Sequence, residues 1–298
     1  MILEIIWAVV NVSTGFVRNA PDYESGLETQ LMMGTVVQID STQSYWRHVH
    51  APEPEYTGWI NDLQLAPIDD PEAYIARPKY ICTAEITRVY AAPADTAARL
   101  CEVVMGNILT RGRDLRRGWS EVLLPDGRSG WMKSGDIEDF SRWAATRVRT
   151  ADSIEALSRR FLGVPYQWGG TSIKGEDCSG FVRTVYLMHG ILLPRNASQQ
   201  VRLGDELPLD MKQWRKGDLL FFGTPATSKR PMRITHVAMY LGEGRIIHSS
   251  QLVRINSLVE GEPDYYDRKP VAARRMLGRE GTAGGPALIQ DSRWYFKQ

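Results

Sequence analysis

The chain has 298 residues, which is enough for two or three domains of ordinary size. Its 36 basic and 35 acidic residues nearly cancel, and the formal net charge of +1 gives no overall attraction to nucleic acid or to an anionic membrane. Three cysteines without a CxxC pair argue against a disulfide framework and against a zinc finger, so we expect no structural metal.

The amino-terminal segment MILEIIWAVVNV is mostly apolar and predicts a strand. It has no basic region, it includes Glu4, and no cleavage site of small residues follows, so it does not resemble a secretory signal peptide. No stretch reaches the roughly 18 apolar residues of a membrane span. We therefore expect a cytoplasmic protein without membrane contact, and a periplasmic or secreted location stays open if a leader has been removed.

Four landmarks of the first half recur in constant register. Pro21, Gly34, Gly58 and Trp59 have counterparts of the same residue type 72 positions later. These counterparts are Pro93, Gly106, Gly130 and Trp131. The sequences around these residues are also similar, for example YTGWINDLQL and RSGWMKSGDI. Self-similarity at a fixed offset predicts a duplicated module.

Each copy of the repeat reads as several short alternating strands separated by turn residues, a pattern that suggests a small β-barrel. It resembles the bacterial SH3-like domain, in which a late strand often carries a Gly-Trp pair. We predict one barrel over residues 1–68 and a second over 80–140. A linker over 69–79, with Pro71 and Pro78, separates them.

A third domain is predicted over 141–298, where helical spacing replaces the alternating pattern. In this domain YQWGG precedes DCSG, and an apolar stripe with helical period begins directly afterwards. Cys178 would then lie at a helix amino terminus, where free N–H groups and the helix dipole favour a thiolate. The same N–H groups could donate to an oxyanion.

A thiol nucleophile needs a base, and the base needs an orienting group. His236 begins a strand pattern, a turn follows at Glu243-Gly244, and His248 lies on the next strand. A hairpin centred on this turn would set the two imidazoles side by side. The pattern predicts a Cys–His–His site.

These features resemble the NlpC/P60 family of cell-wall cysteine peptidases. The segments that match are YQWGG, DCSGF, GDLLFF, HVAMYLG and IHSS, in that order along the chain. The resemblance implies an α+β fold, with two small SH3-like β-barrels followed by a papain-like α+β catalytic domain. It also implies cleavage beside γ-D-glutamyl groups of peptidoglycan stem peptides without metal or cofactor.

The resemblance assigns roles to individual residues. Cys178 would be the nucleophile, His236 the base and His248 the group that orients His236. Tyr166 would help to bind the oxyanion. The predicted substrate contacts in this domain are Asp177, Ser179 and Ser198.

The two SH3-like domains resemble those of a subgroup that releases L-Ala-γ-D-Glu from free murein peptides. In that subgroup an acidic residue and a tyrosine of the first SH3-like domain recognise the free α-amino group of the peptide. The matching segments, LETQ and YTGW, make Glu28 and Tyr56 the candidates. A carboxylate facing an ammonium forms a charge-assisted bond and disfavours longer chains.

Other functions stay open on the sequence alone. Within the same class the protein could cut intact peptidoglycan instead of recycled peptides. Outside it, a papain-like acyltransferase and a non-catalytic protein that binds wall peptide are the alternatives. The sequence does not decide the preferred diamino acid, the oligomeric state or the role of the second barrel.

Overall fold

The computed structural model describes residues 6–297, except for the side chains of residues 114 and 115. Residues 1–5 of the predicted amino-terminal strand lie outside the described part, and its remainder is a strand, Ile6–Val10. The chain forms two compact units, one of residues up to 146 together with those from 292, and one of residues 147–291. None of the described helices has the length and apolarity needed to cross a bilayer.

The first unit begins with a seven-stranded antiparallel sheet. Its strands are β1 (Ile6–Val10), β2 (Thr14–Arg18), β3 (Leu27–Met32), β4 (Val36–Gln43), β5 (Trp46–Pro52), β6 (Glu55–Asn61) and β7 (Leu65–Ile68). Their order in the sheet is β3-β2-β6-β5-β4-β1-β7. Buried side chains from β1 to β6, among them Val10, Leu31 and Ile60, form one apolar cluster. Because one cluster draws on six strands, the sheet must curl around it as in a small barrel.

A second sheet repeats this arrangement. Its strands are β8 (Lys79–Cys82), β9 (Ile86–Tyr90), β10 (Arg99–Val104), β11 (Ile108–Arg116), β12 (Trp119–Leu123), β13 (Ser129–Lys133) and β14 (Ile137–Asp139). The order β10-β9-β13-β12-β11-β8-β14 is that of the first sheet with every number raised by seven. The predicted duplication of an SH3-like module is therefore visible in the topology.

The predicted linker contains a short helix, α1 (Pro71–Ala76). Asp70 caps it by accepting the Ala73 N–H, and Pro71 occupies the first helical position, where its missing N–H costs nothing. Beyond it the two sheets touch directly, since the Ile108 N–H donates to the Met33 carbonyl at 3.0 Å. Gly34 lies at this contact with φ +95°, and a Cβ there would come within 2.3 Å of the Ile108 carbonyl oxygen.

The second unit mixes helices with a six-stranded antiparallel sheet. The first unit ends its main run of chain with a helix, α2 (Phe140–Ala145). The elements of the second unit that precede its sheet are α3 (Ala151–Arg159), β15 (Thr171–Ser172), β16 (Gly175–Glu176), α4 (Cys178–Leu187), β17 (Ile191–Leu192) and α5 (Ala197–Gln200). The sheet has β18 (Asp205–Leu207), β19 (Leu219–Thr224), β20 (Arg233–Gly242), β21 (Arg245–Ser250), β22 (Leu252–Ser257) and β23 (Pro270–Arg275), and β24 (Ala287–Leu288) pairs with β17. The sheet order is β18-β23-β19-β20-β21-β22, and α4 packs on β20 and β21. Two SH3-like sheets and this domain confirm the predicted α+β class.

The carboxyl-terminal residues group with the first unit rather than with the predicted domain over 141–298. Phe296 stacks on Phe140 with ring centroids 4.8 Å apart, and Trp294 lies 6.0 Å from Trp7. The compact second unit runs instead from 147 to 291. The reason is that this aromatic tail finds its apolar partners on β1 and α2.

Candidate active site

Cys178 is the first residue of α4. Asp177 caps the helix, and its Oδ1 accepts the Gly180 N–H at 2.8 Å. The sulfur of Cys178 is hydrogen-bonded with backbone groups of Ser179 and Val237, which places it beside the strand residue that follows His236. A thiol, a helix amino terminus and a histidine strand thus meet at one point.

The glycines of the two sequence motifs allow this part of the backbone to pack tightly. The Asp177 N–H donates to the Gly170 carbonyl at 3.1 Å, which joins the YQWGG loop to the start of α4. A Cβ on Gly180 would come within 1.9 Å of that same Gly170 oxygen. Glycine at 180 is therefore required for the helix to begin here, close under the loop.

Asp177 is held by a buried arginine. Arg195, which is 1% exposed, donates through Nη1 to Oδ1 at 3.1 Å and through Nη2 to Oδ2 at 2.5 Å. Ser179 also donates to Oδ1, and Gly169 N–H donates to Oδ2. The Asp177 side chain remains 11% exposed, so a direct contact with substrate would have to use that small part. Paired two-point contact is the geometry in which guanidinium and carboxylate bind most strongly.

The two predicted histidines lie on adjacent strands, His236 on β20 and His248 on β21. His236 Nε2 is 2.8 Å from His248 Nδ1. His248 continues the chain, because its Nε2 is 3.0 Å from Oδ1 of Asn256 on β22. Three neighbouring strands therefore carry one line of hydrogen bonds that leads toward Cys178.

The far end of this line fixes where each proton is. The carbonyl of Asp264 can only accept, so the Asn256 amide nitrogen donates to it at 2.6 Å and Oδ1 faces His248. Because Oδ1 of Asn256 accepts, neutral His248 carries its proton on Nε2, and its Nδ1 is unprotonated. This unprotonated Nδ1 must accept a hydrogen bond from Nε2–H of His236. The remaining nitrogen of His236, Nδ1, then has a free lone pair, as a general base requires.

Other groups hold this line in place. Arg245 forms two hydrogen bonds with the Asp264 carboxylate, at 3.1 and 2.8 Å. The ring of Tyr266 lies edge-on to His248 with centroids 4.8 Å apart and is 6.0 Å from the ring of His236. His248 has no exposed surface. The imidazoles are therefore enclosed by packing as well as by hydrogen bonds.

Burial controls the charges of the nucleophile and the base. It raises the pKa of the Cys178 thiol to about 11, with the Asp177 charge acting in the same direction. Burial, followed by the charges of His248 and Arg268, lowers the pKa of His236 to about 3. The expected resting thiolate is not what this environment favours, because loss of solvation outweighs the backbone groups at the helix terminus. A neutral thiol beside a neutral imidazole is favoured instead.

We expect alkylation of Cys178 by iodoacetamide to be slow at pH 7 and to accelerate from pH 9 to 11. Only the thiolate reacts, and a pKa raised above 9 moves its formation into that range. Peptide mapping after timed labelling would separate Cys178 from Cys82 and Cys101. A rate that is already maximal at pH 7 would contradict the neutral resting pair.

Tyr166 is partly buried beside the nucleophile. Burial, with the charges of Cys178 and Asp177, raises the pKa of its hydroxyl to about 12, so it keeps its proton and can donate. Ser198 is exposed on α5, and Ser179 is buried. Trp168, in the same YQWGG segment as Tyr166, is 68% exposed.

The two candidates from the first SH3-like sheet are neighbours within that sheet. Glu28 lies on β3 and Tyr56 on β6, and the Tyr56 hydroxyl donates to Glu28 Oε2 at 3.1 Å. Both side chains are half-buried. Residues 28 positions apart thus form one small polar surface.

Sequence reasoning missed Asn256 and Tyr266. Arg254 is the direct cross-strand partner of His248, so Asn256 occupies the diagonal position, which polar side chains can span. A buried asparagine in the strand after the second histidine was the available signal. Tyr266 lies in a loop, and no local pattern marks it.

Comparison with known proteins agrees with this architecture. The sequence profile of the NlpC/P60 family matches residues 163–275, and that of the bacterial dipeptidyl-peptidase SH3 domain matches residues 17–65. A crystal structure of an NlpC/P60 family protein from Bacillus cereus superposes with a TM-score of 0.74 at 27% identity, covering 90% of this chain and 99% of that one.

Two curated relatives share most of the chain. The gamma-D-glutamyl-L-lysine dipeptidyl-peptidase of Bacillus cereus is 32% identical over 258 residues, which are 84% of this chain and 75% of the relative. The protein of the same name from Bacillus subtilis is 27% identical over 262 residues, covering 84% of this chain and 81% of the relative. The buried thiol, the paired imidazoles and these similarities lead to one conclusion: the chain is a cysteine peptidase that belongs to the NlpC/P60 family and carries the bacterial dipeptidyl-peptidase SH3 domain.

Proposed function

We propose that this peptidase hydrolyses the γ-D-glutamyl–diamino acid bond of murein peptides and releases L-Ala-γ-D-Glu from those with a free amino-terminal L-Ala. The names of the two Bacillus relatives support the bond and the dipeptide product. The observation that carries the finer specificity is the contact between Glu28 and Tyr56, since a dipeptidyl-peptidase needs a group that recognises the free amine.

The proposed reaction is acyl transfer through a thioester. Nδ1 of His236 takes the thiol proton while the sulfur of Cys178 attacks the γ-carbonyl carbon of D-Glu. The Cys178 N–H and the Tyr166 hydroxyl would donate to the oxyanion. His236 then gives its proton to the leaving amine, the C–N bond breaks and the thioester remains. Water, deprotonated by His236, hydrolyses it and restores the thiol.

The neutral resting pair suits this sequence of steps. Since the thiol is not ionised beforehand, proton transfer to His236 accompanies the attack, and the negative charge develops where the oxyanion donors lie. His248 accepts from His236 both before and after the transfer, so the ring does not have to turn. His248 and Asn256 are positioning residues in this proposal.

The first SH3-like domain would provide amine recognition. The Glu28 carboxylate would pair with the substrate ammonium, and the Tyr56 hydroxyl would hold that carboxylate in place. A peptide still linked to muramic acid has an amide at this position and no charge, so Glu28 would be left without its partner. A role of Asp177, Ser179 and Ser198 along the substrate stays a prediction, as does recycling in the cytoplasm.

Replacing Glu28 by glutamine is expected to lower kcat/KM about 10- to 100-fold on a free L-Ala-γ-D-Glu-diamino acid peptide. A hydrogen bond to a charged group contributes about 1.5–3 kcal/mol. The same peptide with an acetylated amino terminus should be a poor substrate for both proteins. Glu24→Gln, a change at an exposed carboxylate in the preceding turn, is the matched control. Equal wild-type rates on free and acetylated peptides would favour intact-wall cleavage over the dipeptidyl activity.

A further inference from the structure

A polar cavity of about 380 Å³ adjoins the base in the second unit. It lies where β19 ends and β20 begins. Its lining residues are Phe222, Gly223, Thr224, Thr235, Arg268 and Lys269. Phe222 is the direct cross-strand partner of His236, and Thr235 precedes His236 on the same strand. The cavity is therefore next to His236 and has a volume in the range of small-ligand sites.

The charge of this cavity is positive. Arg268 and Lys269 supply two cations, and no carboxylate is among its lining residues in the described part of the chain. Neither cation takes part in an ion pair with another described residue. Arg268 also acts on the base, because its charge adds to burial and His248 in lowering the pKa of His236. The Thr235 hydroxyl donates to the Phe222 carbonyl at 3.4 Å, which leaves the Thr224 hydroxyl beside the two cations. Two exposed, unpaired cations and this hydroxyl form a surface suited to a carboxylate.

The chemistry of the reaction indicates which part of a substrate would reach this cavity. His236 must protonate the leaving nitrogen, so that nitrogen lies next to the imidazole in the step that breaks the bond. Tyr166 and Asp177 lie near the nucleophile instead, because the Cys178 charge raises the pKa of Tyr166 and the Asp177 charge raises the pKa of Cys178. The residue that leaves with the amine is therefore the part of the peptide beside His236 and the cavity.

Resting on the function proposed above, we infer that Arg268 and Lys269 form a binding site for the side-chain carboxylate of the leaving residue and select a diamino dicarboxylic acid over lysine. Lysine ends in an ammonium alone, which two cations repel. A diamino dicarboxylic acid ends in an ammonium and a carboxylate on one carbon, and the carboxylate can pair with Arg268 and Lys269 while Thr224 offers a hydroxyl.

Three peptides test this inference. Each is L-Ala-γ-D-Glu joined to one leaving residue: meso-diaminopimelate, meso-diaminopimelate amidated on its side-chain carboxyl, or L-lysine. The amidated form differs from the first in that single charge. We expect wild-type kcat/KM to be highest on the first peptide and several-fold lower on the other two, with a preference that shrinks as salt rises.

The variant Arg268→Gln/Lys269→Gln should lose this preference. Exposed ion pairs contribute about 0.2–1 kcal/mol. Each lost cation should therefore lower the preference, measured as kcat/KM on the diaminopimelate peptide divided by kcat/KM on the lysine peptide, by up to about fivefold. This ratio is the quantity to measure, because losing the Arg268 charge also acts on His236 and affects both rates alike. Arg202→Gln/Lys212→Gln removes two exposed cations elsewhere in the same unit and should leave all three rates unchanged.

The outcomes separate this inference from the function on which it rests. If the wild-type protein cuts none of the peptides, the proposed function fails. If it cuts all three at similar rates, prefers lysine, or keeps its preference in the Arg268/Lys269 variant, the carboxylate site is refuted and the peptidase function stands.

Discussion

Cys178→Ala is expected to lower kcat on an L-Ala-γ-D-Glu-diamino acid peptide by at least about 10⁴-fold, as losing a covalent nucleophile does in other peptidases. The imidazoles remain, but without the sulfur no thioester can form. Cys178 is only 8% exposed and alanine is smaller, so the fold should survive. The measurement is release of the diamino acid by mass spectrometry, beside a thermal unfolding curve.

Two controls make this result informative. Cys101→Ala removes a thiol of the first unit and should leave kcat unchanged. Binding of the dipeptide L-Ala-γ-D-Glu to the Cys178→Ala protein should persist, which would show that the site is intact. Turnover above about one hundredth of the wild-type rate in a folded Cys178→Ala protein would refute the thioester mechanism.

Asn256→Leu is expected to lower kcat by about 10²- to 10⁴-fold with a smaller change in KM, since a histidine held in the wrong tautomer costs about 10⁴ in a serine peptidase. Leucine is similar in size but cannot accept from His248 Nε2–H. His248 can then carry its proton on Nδ1 and donate it to His236. His236 would in turn hold its own proton on Nδ1, where the thiol proton has to go.

Asn256→Asp separates this effect from simple damage to the fold. Aspartate keeps the acceptor that faces His248, and it replaces the donor to the Asp264 carbonyl by a second acceptor. It should therefore retain far more kcat than leucine, and its added charge should raise the pKa of His248 and move the acid limb of the pH profile upward. Imidazole ¹⁵N shifts would report the tautomer directly. Equal losses in both variants, in step with equal losses of thermal stability, would indicate a structural role only.

Features set by local spacing were predictable from the sequence. The tight turn after Gly242 makes a hairpin, and His236 and His248, twelve positions apart, then have their rings side by side. The repeat offset similarly anticipated two sheets with one strand order. The start of α4 followed from Asp177 before an apolar helical stripe. In each of these, neighbouring residues determine the geometry.

Features set by distant packing were not predictable. Asn256 reaches His248 only because a second turn, with Gln251 at φ 67°, returns the chain along β21, and the Asp264 loop comes back to hold its amide. The charge of Cys178 is another example. Its helix terminus is a local feature that favours the thiolate, but burial by the surrounding domain has the larger effect and the opposite sign.

The protonated sulfur at the start of α4 has a consequence for survival under oxidants. Peroxide attacks thiolates, and the first product, a sulfenic acid, leads on to irreversible forms. A thiol whose pKa burial raises to about 11 is mostly protonated at neutral pH and offers peroxide little thiolate to react with. The burial that raises the pKa of this nucleophile therefore also protects it from oxidation between turnovers.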